Sequence, residues 1–205
     1  LQLLSAGVGS GVLGGPSGRA WGQTPAKSAG DPAAVSAPGV TGREIRIGMS
    51  AAFKGTAAGL GAEFYRGAQA YYDEVNSRGG INGRALSVIA LDDGYEPTPC
   101  IRNTQQLLEK DNVFFLSNYV GTPTLTRALP LIKRYAGQQV ILVGNFTGAQ
   151  PQREPPYVEH VFNIRASYRQ EMMALVDRFW DQGARKFGVF YQVDAYGRSG
   201  TDGVA

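Results

Sequence analysis

The sequence predicts a doubly wound α/β fold with a mostly parallel sheet, and three observations predict it. Short apolar runs recur at 45–49, 84–91, 113–116, 140–143 and 187–191, each four to eight residues long and each followed by a stretch of helical period. The runs at 113–116 and 140–143 carry no polar alternation, as expected of strands covered on both faces. The runs leave through turns rich in glycine and hydroxyl residues, the form a strand takes where its carboxyl end feeds a helix.

Order begins at Glu44, where Ile45, Ile47 and Met49 open the first strand. A loop over 50–61 comes next, then a helix over 62–78 with Phe64, Ala68, Tyr71, Tyr72 and Val75 on its core face. Gly79 and Gly80 stop that helix. The second strand, 84–91, closes a βαβ unit and ends at Asp92 and Asp93, read as a solvated strand end. A helix over 99–110 leads to the strand at 113–116.

The turn over 117–122 is the centre of the functional reading. Pro123 suits a first helical turn, and Leu125, Ala128, Leu129 and Ile132 share one face beyond it. Gly121 allows a ligand close to the backbone, and the Thr122 hydroxyl caps the helix or donates to an anion. Free N–H groups at a positive helix end lead to the expectation that this turn receives the carboxylate of a small solute, with an ordinary capped helix start as the alternative. The exit of the next strand, GNFTGAQ at 144–150, repeats the pattern with Thr147 between glycines. Strand exits on one sheet edge form a crevice, so the loops at 50–61, 117–122 and 144–149 are expected to converge.

An extended segment over 157–164 precedes a Ser167–Gln170 capping box and a helix rich in Met172, Met173, Leu175, Val176, Phe179 and Trp180. Gly183 ends it. Residues 187–191 read as a fresh buried strand, with a new helix near Gly200. A strand and helix just begun cannot cover a sheet, so a second α/β lobe is expected to be only begun, and the helix before it to expose Leu175, Phe179 and Trp180. The expected organisation is 1–43 as a leader remnant and linker, 44–164 as a nearly complete first lobe, and 165–205 as the start of a second.

Composition narrows the classes of function. A hydrophobic share of 43% supports a packed core. The net charge of +3 is spread along the chain without basic runs among aromatics, so no nucleic-acid partner is expected. One cysteine, Cys100, and one histidine, His160, are too few for a structural zinc site, and no cofactor or metal is expected. Cys100 reads as a half-buried inert thiol and His160 as a surface residue. No nucleophile, base and orienting group can be assembled, so the protein is not expected to be an enzyme.

Residues 1–40 lack any helix or strand period and resemble the tail of a cleaved secretory signal peptide, with a cleavage point within 21–26. Gly9, Gly11 and Gly14 match G-x-G-x-x-G, but no buried strand precedes them, and Pro16 and Gly18 break the helix that this motif has to open. No apolar run approaches the roughly 18 residues of a membrane span.

Taken together, the segments IRIGMSAAFKGTAAGLGAEFYRGAQAYYDEVNSRGGINGR, NYVGTPT, GNFTGA, VFNIRASYRQE and VFYQVDAYGRSG resemble the periplasmic solute-binding proteins of branched-chain amino acid ABC transporters, from Glu44 onward. The resemblance implies a type I periplasmic-binding fold, a two-lobed clamp that closes on a solute and performs no catalysis, with 161–165 as the first crossover. It implies that Gly121 and Thr122, beside Tyr119, receive an α-carboxylate. The loop Phe146, Thr147 and Gly148 takes the ammonium, Leu60 covers the side chain, and Tyr196 closes from the second lobe. It also implies a monomeric periplasmic protein whose partners are a small solute and the transporter's permease subunits. Some members of that family pair a cysteine near the position of Cys100 with one beside the carboxylate turn. Asn118 and Tyr119 stand in that turn here, so no such disulfide forms. Two other expectations share the clamp: a ligand-sensing receptor ectodomain, and a ligand that is an amide, urea or aromatic acid.

Overall fold

The computed structural model describes residues 37–205. Five parallel strands form one sheet: β1 (Glu44–Ala51), β2 (Ala85–Asp92), β3 (Phe115–Ser117), β4 (Leu142–Val143) and β5 (Val161–Phe162). Their spatial order is β2-β1-β3-β4-β5. The chain therefore winds outward from β1 to β2 and then restarts on the other side of β1, which makes the gap between β1 and β3 the point where strand order reverses. β1 and β2 pair over eight positions, from Glu44 opposite Ala85 to Ala51 opposite Asp92, and β1 meets β3 at Ile47–Phe115 and Gly48–Leu116.

Burial explains which runs became strands. From Ile47 to Ala51, β1 is buried on both faces. A Cβ at Gly48 would meet Leu107, Val113 and Leu116 side chains at 3.1–3.2 Å, so the missing side chain lets the sheet and its covering helix approach. The main core joins Leu107, Leu116, Leu125, Leu129, Ile132 and Leu142, contributed by two helices and two strands. Cys100 belongs to it and is fully buried, deeper than its sequence position implied, and burial pushes its thiol up to about 12. Such a thiol is inert at neutral pH.

Five helices accompany the sheet: α1 (Ala58–Ser77), α2 (Pro97–Glu109), α3 (Thr122–Arg134), α4 (Tyr168–Asp181) and α5 (Ala195–Thr201). α1 starts a full turn before its predicted start at residue 62. The glycines of AGLG read as loop, yet a Cβ on Gly61 would lie 1.9 Å from the Ala52 carbonyl oxygen. That glycine is an approach to the end of β1, and it puts Leu60 on the first turn of a helix. α1 ends as expected at Gly79 and Gly80, both with positive φ. Tyr71, predicted on its core face, is exposed, because α1 is covered on one narrow face only.

The C-terminal part departs from prediction. The capping box of α4 is present, with Ser167 Oγ accepting from Gln170 N at 3.1 Å and Gln170 Oε1 accepting from Ser167 N at 3.0 Å. The run 187–191 is not a buried strand. It joins no strand among the described residues, and Phe190 is 105% exposed, since the sheet takes its last strand from Val161–Phe162. α5 begins at Ala195, capped by Asp194, and Gly200 lies inside it. Leu175, Phe179 and Trp180 are exposed as expected. The leader, its cleavage point and the Gly9–Gly14 spacing lie outside the described residues.

Candidate functional site

At the reversal point, the exits of β1, β3 and β4 meet as predicted. Val120 N donates to the Ser50 carbonyl at 3.4 Å, which ties the second exit to the first. Phe146 N donates to the Tyr119 carbonyl at 2.7 Å and Gly121 N to the Phe146 carbonyl at 3.4 Å, extending β-type pairing past the strand ends. The backbone of these loops is thus fixed by the sheet beneath them.

A cleft of about 550 Å³ opens over these loops. One wall carries Leu60, Val120, Gly121, Thr122 and Phe146, and the facing wall carries Arg165, Tyr168, Glu171, Met172 and Tyr196. α3 has no side-chain cap, and its N-cap, Gly121, has φ +111. A Cβ there would lie 2.7 Å from both Thr124 Oγ1 and the Tyr95 ring. Only glycine fits between them. The first turn of α3 therefore lies at the cleft, with the positive end of its dipole toward it.

Of the eight residues singled out in the sequence, five line the cleft: Leu60, Gly121, Thr122, Phe146 and Tyr196. Three do not. Tyr119 is fully buried in the core with its hydroxyl 3.0 Å from Thr104 Oγ1, because its alternate position in the strand exit turns the side chain inward. Thr147 is also fully buried, and its hydroxyl lies 2.6 Å from that of Thr122. It orients Thr122 and does not reach the cleft. Gly148 lies under Tyr168, whose N–H donates to its carbonyl at 2.7 Å, and a Cβ there would meet the Tyr168 ring at 2.8 Å. It seats Tyr168.

Tyr95, Arg165, Tyr168 and Glu171 also line the cleft, and none of them was singled out in the sequence. Arg165 and Glu171 form an ion pair, and the guanidinium carbon stands 4.9 Å from the Tyr168 ring centre and 5.9 Å from that of Phe146. Both distances suit a cation over an aromatic face. Tyr168 meets Tyr196 edge to face at 5.2 Å. Arg153 Nη2 holds the segment against the sheet side, donating to the Arg165 carbonyl at 2.8 Å and the Ala166 carbonyl at 3.1 Å. The only sequence signal for Arg165, Tyr168 and Glu171 is the charged RASYRQE stretch, which a helix start with a capping box already accounts for.

Asp92 and Asp93 are not a plain solvated end. Asp93 is buried and accepts from Ser50 Oγ at 2.7 Å and Tyr95 N at 2.9 Å; burial raises its pKa above the ordinary carboxyl value. Asp92 accepts from Phe53 N at 2.8 Å and Gly94 N at 3.1 Å. For Asp92 a burial contribution that raises the pKa is outweighed by those N–H donors and Lys54, and its carboxyl titrates below the ordinary value. Together the two acids hold the turn at 93–96 against β1. Among the described residues no group of three or more His, Cys, Asp or Glu could hold a metal ion, and no helix among them is long and apolar enough to cross a membrane.

A model of the periplasmic binding protein family matches residues 44–205, the whole span that carries the sheet and both walls of the cleft. The chain belongs to the periplasmic binding protein family. Relatives in that family include an amino acid binding protein of Pseudomonas aeruginosa, 25% identical over 162 residues that make up 78% of this chain and 42% of the relative. A Leu/Ile/Val-binding protein homolog 3 of Brucella melitensis is 26% identical over 160 residues, 78% of this chain and 42% of that protein. A crystal structure of a possible leucine/isoleucine/valine-binding protein from Rhodopirellula baltica superposes with a TM-score of 0.72 at 35% identity, covering 83% of this chain and 44% of that one. The chain thus spans less than half the length of these family members. The family consists of substrate-binding proteins.

Proposed function

We propose that this periplasmic binding protein captures a small amino-acid-like carboxylate, of the branched-chain class, and delivers it to an ABC importer from the periplasm. The observation that carries the reading is the first turn of α3, without a side-chain cap, at a cleft over the strand-order reversal that Gly121 and Thr122 line. A carboxylate at that turn meets the positive end of the helix dipole. Leu60, Ala57, Val120 and Met172 supply an apolar lining for an aliphatic side chain. Residues 44–164 form the first lobe of the clamp, 165–205 contribute the second wall, and Tyr196 closes over the ligand. The Phe146 loop faces the ammonium, with Thr147 and Gly148 acting through Thr122 and Tyr168. The partners are the importer's permease subunits, and the protein works as a monomer exported through a cleaved signal peptide.

The test is a thermal-shift screen of the full-length protein against leucine, isoleucine, valine, amides, urea and aromatic acids, then titration calorimetry on the hits. A ligand at a hundredfold excess over its Kd adds about 2.7 kcal/mol of stability. Thr122→Ala is expected to weaken the best carboxylate by about 1.5 to 3 kcal/mol, the cost of a lost hydrogen bond to a charged group. Stabilisation by amides or urea alone overturns the carboxylate reading, and unchanged affinity in Thr122→Ala removes that hydroxyl from the site.

A further inference from the structure

Tyr95 occupies a position that neither the motifs nor the strand exits foretold. It stands in the left-handed region at φ +69, a conformation a bulky side chain adopts only when its surroundings hold it there. The surroundings here are specific. Asp93 Oδ1 accepts its N–H at 2.9 Å, Asp92 Oδ1 accepts the N–H of Gly94 before it, and Ser50 Oγ, at 2.7 Å, fixes the other Asp93 oxygen to β1. The result of this bracing is a ring laid over Gly121, close enough that a Cβ on that glycine would stand 2.7 and 3.1 Å from two of its carbons. The ring lines the cleft.

We propose that Tyr95 is a specificity-determining residue whose hydroxyl donates its proton to the carboxylate of the bound solute. The proposal rests on the carboxylate reading above. The geometry supports it: the Tyr95 ring lines the cleft and packs on Gly121, the N-cap of α3, where the carboxylate is placed. Donation requires a neutral phenol, and burial, then Asp194, Tyr168 and Tyr196, push the Tyr95 hydroxyl up to about 12. It therefore keeps its proton throughout the physiological range. Asp194 caps α5, accepting from Gly197 N at 3.0 Å, and Tyr95 lines the same cleft as Tyr168 and Tyr196 of the facing wall.

The test uses the full-length protein, wild type and Tyr95→Phe, titrated with L-leucine, L-phenylalanine and benzoate and with the amide of each. Phenylalanine keeps the ring on Gly121 and deletes only the hydroxyl. The expected result is a loss of about tenfold or more for whichever carboxylate binds best, against a severalfold loss or less for its amide, because a hydrogen bond to a charged acceptor is worth roughly twice one to a neutral acceptor. Equal losses for acid and amide, or a matching fall in the melting temperature of the free protein, assign Tyr95 a structural role and overturn the proposal. A wild-type protein that takes none of the three acids overturns the carboxylate reading itself, and the Tyr95 proposal with it. That failure appears before the variant is compared, so the two are told apart.

Discussion

The two walls of the cleft are built on different principles. The sheet wall rests on a buried core, its loops are paired to one another by backbone hydrogen bonds, and Thr122 and Thr147 bond in complete burial. The C-terminal wall rests on side chains: a partly exposed Arg165–Glu171 pair, aromatic edges at Tyr168 and Tyr196, and the hold of Arg153 on two carbonyls. Buried backbone pairing fixes positions to fractions of an ångström, whereas surface ion pairs and ring contacts cost little to rearrange. The proposed clamp would use that combination, one wall that holds the ligand's polar end and another that can move onto it.

The largest effect that could break this contrast lies in stability. In the 205-residue chain, Leu129→Ala removes a side chain that is 1% exposed in the main core and is expected to cost about 2 to 5 kcal/mol. Leu175→Ala on α4, where the side chain is 48% exposed, is expected to cost less than about 0.5 kcal/mol. Urea denaturation of both variants measures the difference. Comparable costs would mean that α4 is packed as firmly as α3, and the two walls would no longer differ in kind.

What was legible in the sequence obeys the same division. Doubly covered strands and amphipathic helices leave period and composition behind them, so β1 to β4, α2, α3 and the convergence of three strand exits could all be read. Gly121 and Thr122 were legible as part of a strand exit leading into a helix at Pro123, and both line the cleft. Tyr119 and Thr147 misled because adjacent residues in an exit loop point opposite ways, and the sequence does not say which of a pair faces the ligand. Tyr95 and Arg165 left no period at all. Their positions depend on contacts made across the fold, Tyr95 on Asp93 and Ser50 and Arg165 on rings from two elements. The run at 187–191 shows the limit of periodicity, since an apolar run becomes a strand only beside a partner.

Asp93 offers a smaller and sharper probe of the sheet wall. Burial raises its pKa in the folded protein, so folding favours the protonated form. Below the ordinary Asp value of about 3.9 both states are protonated and the residue carries no penalty. As pH rises through the window between that value and the raised one, the unfolded chain gives up its proton first and stability falls, by at most about 1.4 kcal/mol per pH unit, then levels off above the folded pKa. Asp93→Asn keeps an acceptor for Tyr95 N–H and removes the titration. The variant is therefore expected to gain on the wild type as pH rises from about 4, and denaturation midpoints across that range read the difference. A gain that appears on acidification instead would show Asp93 held ionised, in the manner of Asp92.

The smallest expected effect tests the C-terminal wall directly. The side chains of Arg165 and Glu171 are 29% and 33% exposed, so their attraction is screened and its loss is cheap. Glu171→Gln is expected to change the stability of the full-length protein by no more than about 1 kcal/mol, and less at high salt. The guanidinium keeps its place over Tyr168 and Phe146 in that variant, since stacking does not need the carboxylate. Arg165→Lys removes the stacked plane while preserving the charge, and is expected to cost more than Glu171→Gln because a compact ammonium cannot lie flat on both rings. Denaturation at two salt concentrations separates the cases. A salt-independent loss of about 3 to 5 kcal/mol in Glu171→Gln would be the cost of stranding a buried charge, and would make this wall as fixed as the sheet wall it faces.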